Sequence, residues 1–415
     1  MSEVLVLGAG IVGVASALAL QAKGFDVVLV DKSEPGSEAS YGNAGIIQAE
    51  AAEPYALPRD VPTLLSYALE LGNDLVWQTT AVAKMRKGLL SYFNYSSPRT
   101  HATISKAYSR LIARSTKDHE PLIIAAKAES LISKNGLFIL YRDAKKLDEA
   151  ILQANQIKAR YGTQFRDLTG NQYRLEEPAL QKTPAGAIHW LSSWSCSDPG
   201  ALTKAYAELF KLCGGEFVPG NAQSLTQTSR GWAVTETSEA KLEAKHAVIC
   251  LGHSSPKVLR KFDYDIPMIY KRGYHGHFQC QLAPKVPFLD MQNGIVASAM
   301  SKGLRLSSGA ALVNIDSPSH PEQLRRGSEA IGDLLDIGPP VNEPQWFGTR
   351  PCLPDMLPLV GMAPRHQNLW FNFGHGHQGF TLGPTSAELL ALQMIGEPSE
   401  LCAPLLPAAR KWIKG

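Results

Sequence analysis

The 415-residue sequence lacks the marks of several common classes of protein. It contains no uncharged apolar run of about eighteen residues, so we expect no membrane-spanning helix. Its 41 basic and 38 acidic residues nearly cancel and form no basic cluster, which disfavours a nucleic-acid partner. The chain opens directly into an apolar strand, and this start predicts a cytoplasmic protein without a signal peptide.

Signatures of disulfides and metal sites are also missing. The six cysteines are scattered without a C-x-x-C pair, which favours free thiols and disfavours zinc or iron–sulfur binding. His275 and His277 form an i, i+2 pair, as do His375 and His377, but neither pair has a nearby cysteine or a clear carboxylate partner. We therefore expect structural histidines and predict no metal site.

The segment from Leu64 to Val82 comes nearest to a long apolar run, and Glu70 and Asp74 interrupt it. We predict an amphipathic surface or lid helix here. Such a helix leaves open a peripheral contact with the inner membrane.

What is present is a nucleotide-binding pattern at the N-terminus. The apolar strand Val4–Leu7 runs into a glycine turn. Gly8 permits the tight turn, Gly10 allows backbone to approach a pyrophosphate, and Gly13 lets the next helix sit close to the sheet. That helix presents free N–H groups to phosphate oxygens. Asp31 ends the next apolar strand, where an acid accepts the ribose hydroxyls and disfavours the 2′-phosphate of NADP.

The length, with 44% hydrophobic and 19% charged residues, predicts two packed globular domains. We expect an α/β fold, with a Rossmann-type parallel sheet interleaved with an α+β substrate domain on a mixed sheet. The predicted nucleotide-binding domain comprises residues 1–62, 184–254 and 338–415, and the substrate-binding domain comprises residues 63–183 and 255–337. The residue patterns predict helices over 63–133 with a break at Pro98, over 144–161, 199–212 and 321–335, and strands within 266–312.

The C-terminal quarter distinguishes flavin from nicotinamide. A strand at 369–373 leads into a glycine-rich turn and a helix predicted to begin at Pro384, because proline is favoured at the first helical position. Such a helix start would donate to the negative charge that a reduced flavin carries around N1 and its C2 carbonyl. The pattern favours FAD, and a glycine-rich connection without a ligand is the alternative.

Further motifs follow along nearly the whole chain: Ser40-Tyr-Gly-Asn43-Ala44-Gly45, Leu251-Gly252-His253-Ser254, Lys271-Arg-Gly273-Tyr274, Trp346-Phe-Gly348-Thr-Arg350-Pro351, Pro354-Asp355, Pro358-Leu-Val-Gly361 and Gly374-His375-Gly376. With the N-terminal glycines, they resemble the D-amino-acid oxidase-like superfamily of FAD-dependent oxidoreductases. Within it, the sequence is most similar to the bacterial D-amino-acid dehydrogenases of the small-subunit type. The resemblance implies a two-domain fold, non-covalent FAD, and oxidation of an amine carbon next to a carboxylate.

The resemblance also implies the contacts of the cofactor. The first glycine turn should contact the pyrophosphate, and Gly376 and Thr381 should face the pyrimidine end of the flavin. No cysteine stands where sarcosine-oxidase relatives attach FAD, and we interpret the nearby Cys352 as a packing residue. The residues predicted to bind FAD are Gly8, Gly10, Ile11, Val12, Gly13, Asp31, Lys32, Ser40, Asn43, Ala44, Gly45, Gly252, Gly376, Gly379, Phe380 and Thr381.

Hydride transfer from a Cα to flavin N5 depends chiefly on positioning, and a planar guanidinium suits the substrate carboxylate. Arg350 matches the family's substrate arginine, and its alternative role is an ion pair with Asp355. Tyr274 resembles a tyrosine that hydrogen-bonds substrate, with an ordinary strand residue as the alternative. His377 could hold a polar substrate group or tune the flavin, or it could hydrogen-bond within its own loop. We predict Arg350, Tyr274 and His377 as the catalytic residues.

Two departures from the dehydrogenase pattern bear on the substrate. His377-Gln378 stands where those enzymes usually have small or apolar residues, and His275 stands where they tend to have serine. In the related glycine oxidases, a basic residue at the place of His377 helps hold the substrate. These departures do not change the predicted reaction, but they leave the identity of the substrate undetermined.

The leading function is oxidative deamination of D-amino acids, or oxidation of cyclic imino acids such as D-proline or hydroxyproline, with electrons passed to a quinone or another carrier. The close alternative is an oxidase that uses oxygen on glycine, sarcosine or D-amino acids. The chain could also be one subunit of a hetero-oligomeric dehydrogenase, or an FAD-binding redox partner without catalysis.

Overall fold

The structure is a computed structural model that describes residues 2–413. Its strands, in chain order, are β1 Val4–Leu7, β2 Val27–Asp31, β3 Ile46–Ile47, β4 Leu75–Trp77, β5 Ile132–Ser133, β6 Leu137–Tyr141, β7 Phe165–Thr169, β8 Gly186–Trp190, β9 Trp194–Cys196, β10 Glu216–Thr228, β11 Gly231–Glu236, β12 Lys241–Ala244, β13 His246–Ile249, β14 Ile269–Cys280, β15 Phe288–Asp290, β16 Ile295–Met300, β17 Gly303–Ser307, β18 Ala310–Leu312, β19 Ile337–Pro340, β20 Trp346–Cys352, β21 Leu359–Met362 and β22 Leu369–Phe373.

The strands form three sheets, of which the smallest has the order β3-β9-β5. Helices connect the strands and cover the two larger sheets. The α-helices are α1 Ile11–Ala22, α2 Val61–Ala68, α3 Thr79–Lys84, α4 Arg86–Tyr95, α5 Pro98–Ile112, α6 Ser115–Ala125, α7 Ala144–Tyr161, α8 Gly170–Glu176, α9 Pro199–Leu212, α10 Ser255–Leu259, α11 Glu322–Gly332 and α12 Gly379–Met394. Short 3₁₀ turns lie at Glu129–Leu131, Gly252–Ser254, Arg260–Phe262, Glu400–Leu405 and Pro407–Ala409. No helix among the described residues is both long and apolar enough to cross a bilayer.

The first sheet has the order β12-β11-β10-β2-β1-β13-β22-β21. Its central strands, from β10 to β22, all pair in parallel, and its edges pair antiparallel. The strands of β1 and β13 are wholly apolar or nearly so because both faces are buried, with α1, α9 and α12 on one face. The predicted Rossmann-type parallel sheet is therefore confirmed.

The second sheet is mixed and has the order β4-β18-β14-β17-β16-β15-β6-β8-β7, with β19 and β20 also paired to β14. The long strand β14 alternates its side chains between two faces, so Lys271, Gly273 and His275 share one face while Arg272 and Tyr274 share the other. Strand β20 runs antiparallel to β14 and places Arg350 directly opposite Lys271.

Sheet membership departs from the predicted domain boundaries at two strands. Strand β8 falls within 184–254 and β20 within 338–415, yet both pair within the second sheet. The apolar pattern of a strand predicts that it is buried but does not specify its neighbour, which long-range pairing decides.

The predicted helix from Leu64 to Val82 is wrong. Helix α2 ends at Ala68, and Glu70 adopts a left-handed conformation (φ 51°) that stops the chain from continuing helically. Residues 75–77 then form β4, which pairs in parallel with β18, before α3 begins at Thr79. Within the described chain, the helices predicted at 144–161 and 199–212 are confirmed, each begun by an aspartate that accepts a backbone N–H.

Candidate cofactor and substrate site

The glycine turn after β1 is built by backbone geometry that only glycine allows. Gly8 has φ +109°, and a Cβ on it would lie 2.5 Å from the carbonyl oxygen of Cys250. A Cβ on Gly13 would lie 1.7 Å from the carbonyl oxygen of Gly8, which explains why α1 can sit so close to the turn. Asp31 Oδ2 accepts the Ala9 N–H at 2.7 Å, so the acid is fixed beside the turn. The pyrophosphate and ribose contacts of these residues remain predictions.

Helix α12 begins five residues earlier than predicted, at Gly379, and Pro384 lies inside it. Proline has no N–H, so the carbonyl of Phe380, four residues before, loses its helical partner. His119 Nε2 donates to that carbonyl at 2.8 Å, while its Nδ1 accepts from the Tyr206 hydroxyl at 3.0 Å. Burial lowers the pKa of His119 to about 4, so the ring is neutral at physiological pH. A histidine from α6 thus replaces the missing hydrogen bond of the helix.

The starts of α1 and α12 lie side by side. A Cβ on Gly383 would lie 3.4 Å from Ile11, and neither helix has a side-chain cap at its N-terminus. Two adjacent helix starts place their unpaired N–H groups and positive dipole ends in one region. This region suits a ligand with both a pyrophosphate and a delocalised anion.

The loop between β2 and β3 is fixed from both domains. Ser40 Oγ accepts the Ile11 N–H at 2.9 Å, and Asn43 Oδ1 accepts the Gly45 N–H at 2.8 Å. Arg305, from the second sheet, donates to the carbonyl of Asn43 at 2.6 Å. Ser298 Oγ donates to the carbonyl of Ala44 at 2.9 Å. The loop is therefore held where it can border a cofactor between the two sheets.

A chain of buried amides reaches the start of α12. Gln378 Nε2 donates to Gln48 Oε1 at 2.8 Å, and Gln48 Nε2 donates to Glu50 Oε1 at 2.7 Å. Burial raises the pKa of Glu50 above its ordinary value. Gln378 Oε1 is buried and has no donor among residues 2–413. An unsatisfied buried acceptor at this position fits a ligand that carries an N–H, as the flavin ring does.

Most residues predicted to hold the cofactor lie in this region, but three fit less directly. The Lys32 side chain is 78% exposed, with Glu38 as its nearest ionic partner. Phe380 is buried against His119, and the Thr381 hydroxyl accepts the Gln48 N–H at 3.1 Å. Only backbone groups of Phe380 and Thr381 can therefore serve the cofactor without breaking existing contacts.

A cavity of about 30 Å³ lies beside the start of α12. Its lining includes Tyr55, Tyr92, Lys271, Cys352 and the turn 374–378. His377 lies in that turn, 5.1 Å between ring centroids from Tyr55. Burial, and next the charges of Arg350 and Lys271, hold the pKa of His377 well below its ordinary value, so the ring is neutral. The Cys352 thiol is likewise neutral because burial raises its pKa.

Arg350 stands next to this cavity, two residues before Cys352 on the same face of β20. Its guanidinium lies over Gly273, where a Cβ would be 2.6 Å from Nη1. It donates to the carbonyl oxygens of Gly309 at 2.7 Å and Ser308 at 3.2 Å. The alternative pairing with Asp355 does not form, because Asp355 pairs with Arg410. Arg350 thus keeps N–H donors for a ligand.

Tyr274 is not brought to the cavity. It lies on the opposite face of β14 from Lys271 and Arg350, and it is 3% exposed within the apolar core of the second domain. Its hydroxyl accepts the His320 N–H at 3.2 Å. The structure corrects the predicted substrate contact of Tyr274, because an offset of three residues along a strand reverses the face.

His275 and His277 project from the same face of β14 as Lys271 and form a cluster with Glu343. Their ligand atoms and that of Glu343 lie within 4.8 Å of one another. However, Arg305 Nε donates to His277 Nε2 at 3.0 Å, and His277 Nδ1 bonds Glu343. Both ring nitrogens are engaged, and a guanidinium repels a cation. Glu343 is the carboxylate partner that sequence spacing did not reveal.

Sequence reasoning missed Lys271, Tyr55 and Tyr92 as cavity residues. The sequence contained the signal for Lys271. It stands in the same motif as Tyr274, three residues earlier, so its side chain projects from the opposite face of the strand. Tyr55 lies in the irregular segment between β3 and α2, and Tyr92 lies in helix α4. No local sequence pattern predicts that they meet in the cavity.

Fold and site together define a flavoenzyme, with a nucleotide-binding parallel sheet, a mixed sheet and a cationic cavity at the start of α12. A family model described as FAD dependent oxidoreductase matches residues 3–393, and the chain belongs to this family. The predicted resemblance and enzymatic class are confirmed, and the cofactor is FAD, held without a covalent bond.

Curated relatives match over nearly the whole chain. A D-amino acid dehydrogenase of Paramagnetospirillum magneticum is 30% identical, covering 96% of this chain and 96% of its own. A D-amino-acid oxidase of Bradyrhizobium diazoefficiens is 27% identical, covering 98% and 97%. Among solved structures, glycine oxidase from Geobacillus kaustophilus is similar with a TM-score of 0.74 and 19% identity, covering 99% of both chains. L-proline dehydrogenase from P. horikoshii is similar with a TM-score of 0.72 and 16% identity, covering 96% and 95%.

Proposed function

We propose that the protein is an FAD-dependent dehydrogenase that oxidises D-amino acids, or cyclic imino acids such as D-proline or hydroxyproline. The observation that carries the proposal is Arg350, whose guanidinium bonds only backbone carbonyls among residues 2–413 and stands beside a cavity at the start of α12. The relatives named D-amino acid dehydrogenase support the substrate class.

The residues of the chain bind and orient the substrate. Arg350 holds the carboxylate with its remaining N–H donors and so fixes the Cα–H bond relative to the flavin. Neutral His377 can accept a hydrogen bond from the substrate amine without adding charge. Tyr55 and Tyr92 line the cavity and limit access of water. FAD supplies the hydride acceptor at N5.

The reaction balances as a two-electron oxidation. Oxidation would remove a hydride from Cα and one proton from the free amine and leave an imine, and bound FAD would take up the two electrons. Water then hydrolyses the imine to a 2-oxo acid and ammonia, whereas a cyclic imino acid stops at the imine.

The proposed acceptor of the electrons is a quinone or another carrier. In support, helix α2 and the turn after it contain no buried residue and expose Val61, Leu65, Leu69 and Leu71 by 56–74%. Exposed apolar side chains in sequence are suited to a peripheral contact with a membrane or a partner subunit. An oxygen-using oxidase is the second candidate, favoured by the relative named D-amino-acid oxidase.

Anaerobic titration of the purified holoprotein tests the function. Individual D- and L-amino acids, prolines and N-methylglycine are added, and the visible flavin absorbance is recorded. We expect bleaching by D-amino acids or D-prolines. Failure of every compound would reduce the chain to an FAD-binding redox partner. Stopped-flow mixing of the reduced protein with oxygen then separates the acceptors, because rapid reoxidation by oxygen would reject the dehydrogenase.

A further inference from the structure

Two cationic side chains share the substrate side of the second sheet. Lys271 on β14 and Arg350 on β20 are directly opposite in the antiparallel pair, so both project from the same face. Neither forms an ion pair with a carboxylate among residues 2–413, and the cavity lining contains no aspartate or glutamate. Lys271 in the lining and Arg350 beside it therefore have no carboxylate partner there.

The charged ends of the two side chains point apart. Arg350 bends over Gly273 toward the carbonyls of Ser308 and Gly309. Lys271 extends toward helix α4, where its Nζ lies 3.3 Å from the Tyr92 hydroxyl and 4.7 Å from the centre of the Tyr92 ring. A ligand with anionic groups at two separated positions can therefore pair with both side chains.

Burying an unpaired cation is costly, and two adjacent ones repel each other. Burial, and next the charges of Arg350 and Lys271, disfavour protonation of the His377 ring and hold its pKa well below its ordinary value. Tyr92 gives Lys271 a weak acceptor and an aromatic face but no compensating negative charge. Such a pair of cations is retained at a cost to stability that an anionic ligand offsets on binding.

From this geometry we infer that the substrate is a dicarboxylic amine, with Arg350 binding the carboxylate next to the oxidised carbon and Lys271 binding the second carboxylate. The inference rests on the proposed function and names its substrate class. Acidic D-amino acids and N-carboxymethyl amines share this chemistry, and the test below separates them.

The test compares matched substrates by anaerobic flavin reduction. D-Glutamate and D-aspartate are compared with D-glutamine and D-asparagine, in which a neutral amide replaces the second carboxylate. Iminodiacetate is compared with N-methylglycine, which lacks the second carboxyl group. We expect the reduction rate constant divided by Kd to favour at least one dicarboxylate by about 10-fold or more. The dicarboxylate that reacts identifies which of the two compound types is the substrate.

Lys271→Met should remove that preference, lowering the ratio of the dicarboxylate value to the neutral-compound value about 10–100-fold. Lys271→Arg should retain most of the preference because the charge remains. Lys106→Met, which removes an exposed lysine from α5, is the matched control. FAD content and the visible spectrum establish that each variant is folded.

The failures are distinguishable. If no amino acid bleaches the flavin, the proposed function fails together with the inference. If neutral D-amino acids bleach it as well as dicarboxylates do, the function stands and the inference is overturned. An equal loss for charged and neutral substrates in Lys271→Met also overturns it, because both cations would then serve one carboxylate.

Discussion

The first and second sheets of this protein contribute to the functional site in different ways. The first sheet contributes backbone groups. Its turn contains glycines, with φ +109° at Gly8, and the N-cap residue of α1 makes no side-chain hydrogen bond. The second sheet offers side chains, and strand parity determines which of them reach the cavity. Lys271 and Arg350 share the cavity face, while Tyr274 lies behind it. A backbone site can be read from spacing alone, whereas a side-chain site also requires the register between strands.

The largest effect is expected in the first sheet. Gly13→Val would place side-chain atoms where even a Cβ is 1.7 Å from the Gly8 carbonyl oxygen. We expect loss of bound FAD and of most folded protein, because backbone must move to relieve the overlap. FAD content after gel filtration and thermal unfolding measure this. Gly332→Ala, at the end of α11 with its nearest neighbour 3.8 Å away, is the control and should retain FAD.

In the second sheet, Arg350→Lys keeps the charge but loses the planar fork. We expect kcat/KM to fall by roughly 2–5 kcal/mol in transition-state stabilisation, if the carboxylate is bound away from water. Arg365→Lys is the matched control, since Arg365 also donates to backbone carbonyls but lies on an exposed turn. An unchanged kcat/KM in Arg350→Lys would remove Arg350 from the substrate site.

His119 on α6 supports the start of α12. His119→Leu leaves the Phe380 carbonyl without a donor, and we expect the free energy of unfolding to drop by about 1–3 kcal/mol. Pro384→Ala restores a backbone N–H four residues after Phe380. The same His119 substitution should therefore cost less in the Pro384→Ala background, as a double-mutant cycle in urea would measure.

The cost of His119→Leu should also depend on pH. Burial lowers the pKa of His119 to about 4, below its ordinary value of 6.5. As the pH falls below 6.5, the unfolded chain binds a proton that the folded protein does not, so the wild type loses about 1.4 kcal/mol per pH unit from this group. The stability difference should narrow between pH 7 and pH 5. A constant difference would contradict the neutral, buried state of the ring.

The smallest effect is expected for Tyr274→Phe. The hydroxyl bonds the His320 N–H on the far face of β14, so its loss should cost about 0.5–1.5 kcal/mol of stability. We expect kcat/KM to stay within about 2-fold of the wild type. A large loss of kcat/KM with unchanged stability would instead restore Tyr274 to the substrate site.

Much of the first sheet could be predicted because its requirements are local. The spacing of Gly8, Gly10 and Gly13 and the position of Asp31 depend on one strand, one turn and one helix. The start of α12 was harder to predict. Proline favours the first helical position because it has no N–H, but Pro384 can lie inside the helix when another group donates to the Phe380 carbonyl. His119, more than 250 residues away in sequence, supplies that partner.

The sequence by itself determined the nucleotide-binding turn, the class of cofactor and an arginine suited to a carboxylate, since each depends on residue type and short spacing. Only the tertiary structure decided that Lys271 rather than Tyr274 joins Arg350, and that Asp355 is occupied by Arg410. The physical reason is that a strand sends neighbouring side chains to opposite faces, so a shift of one residue in register exchanges the groups that meet a substrate.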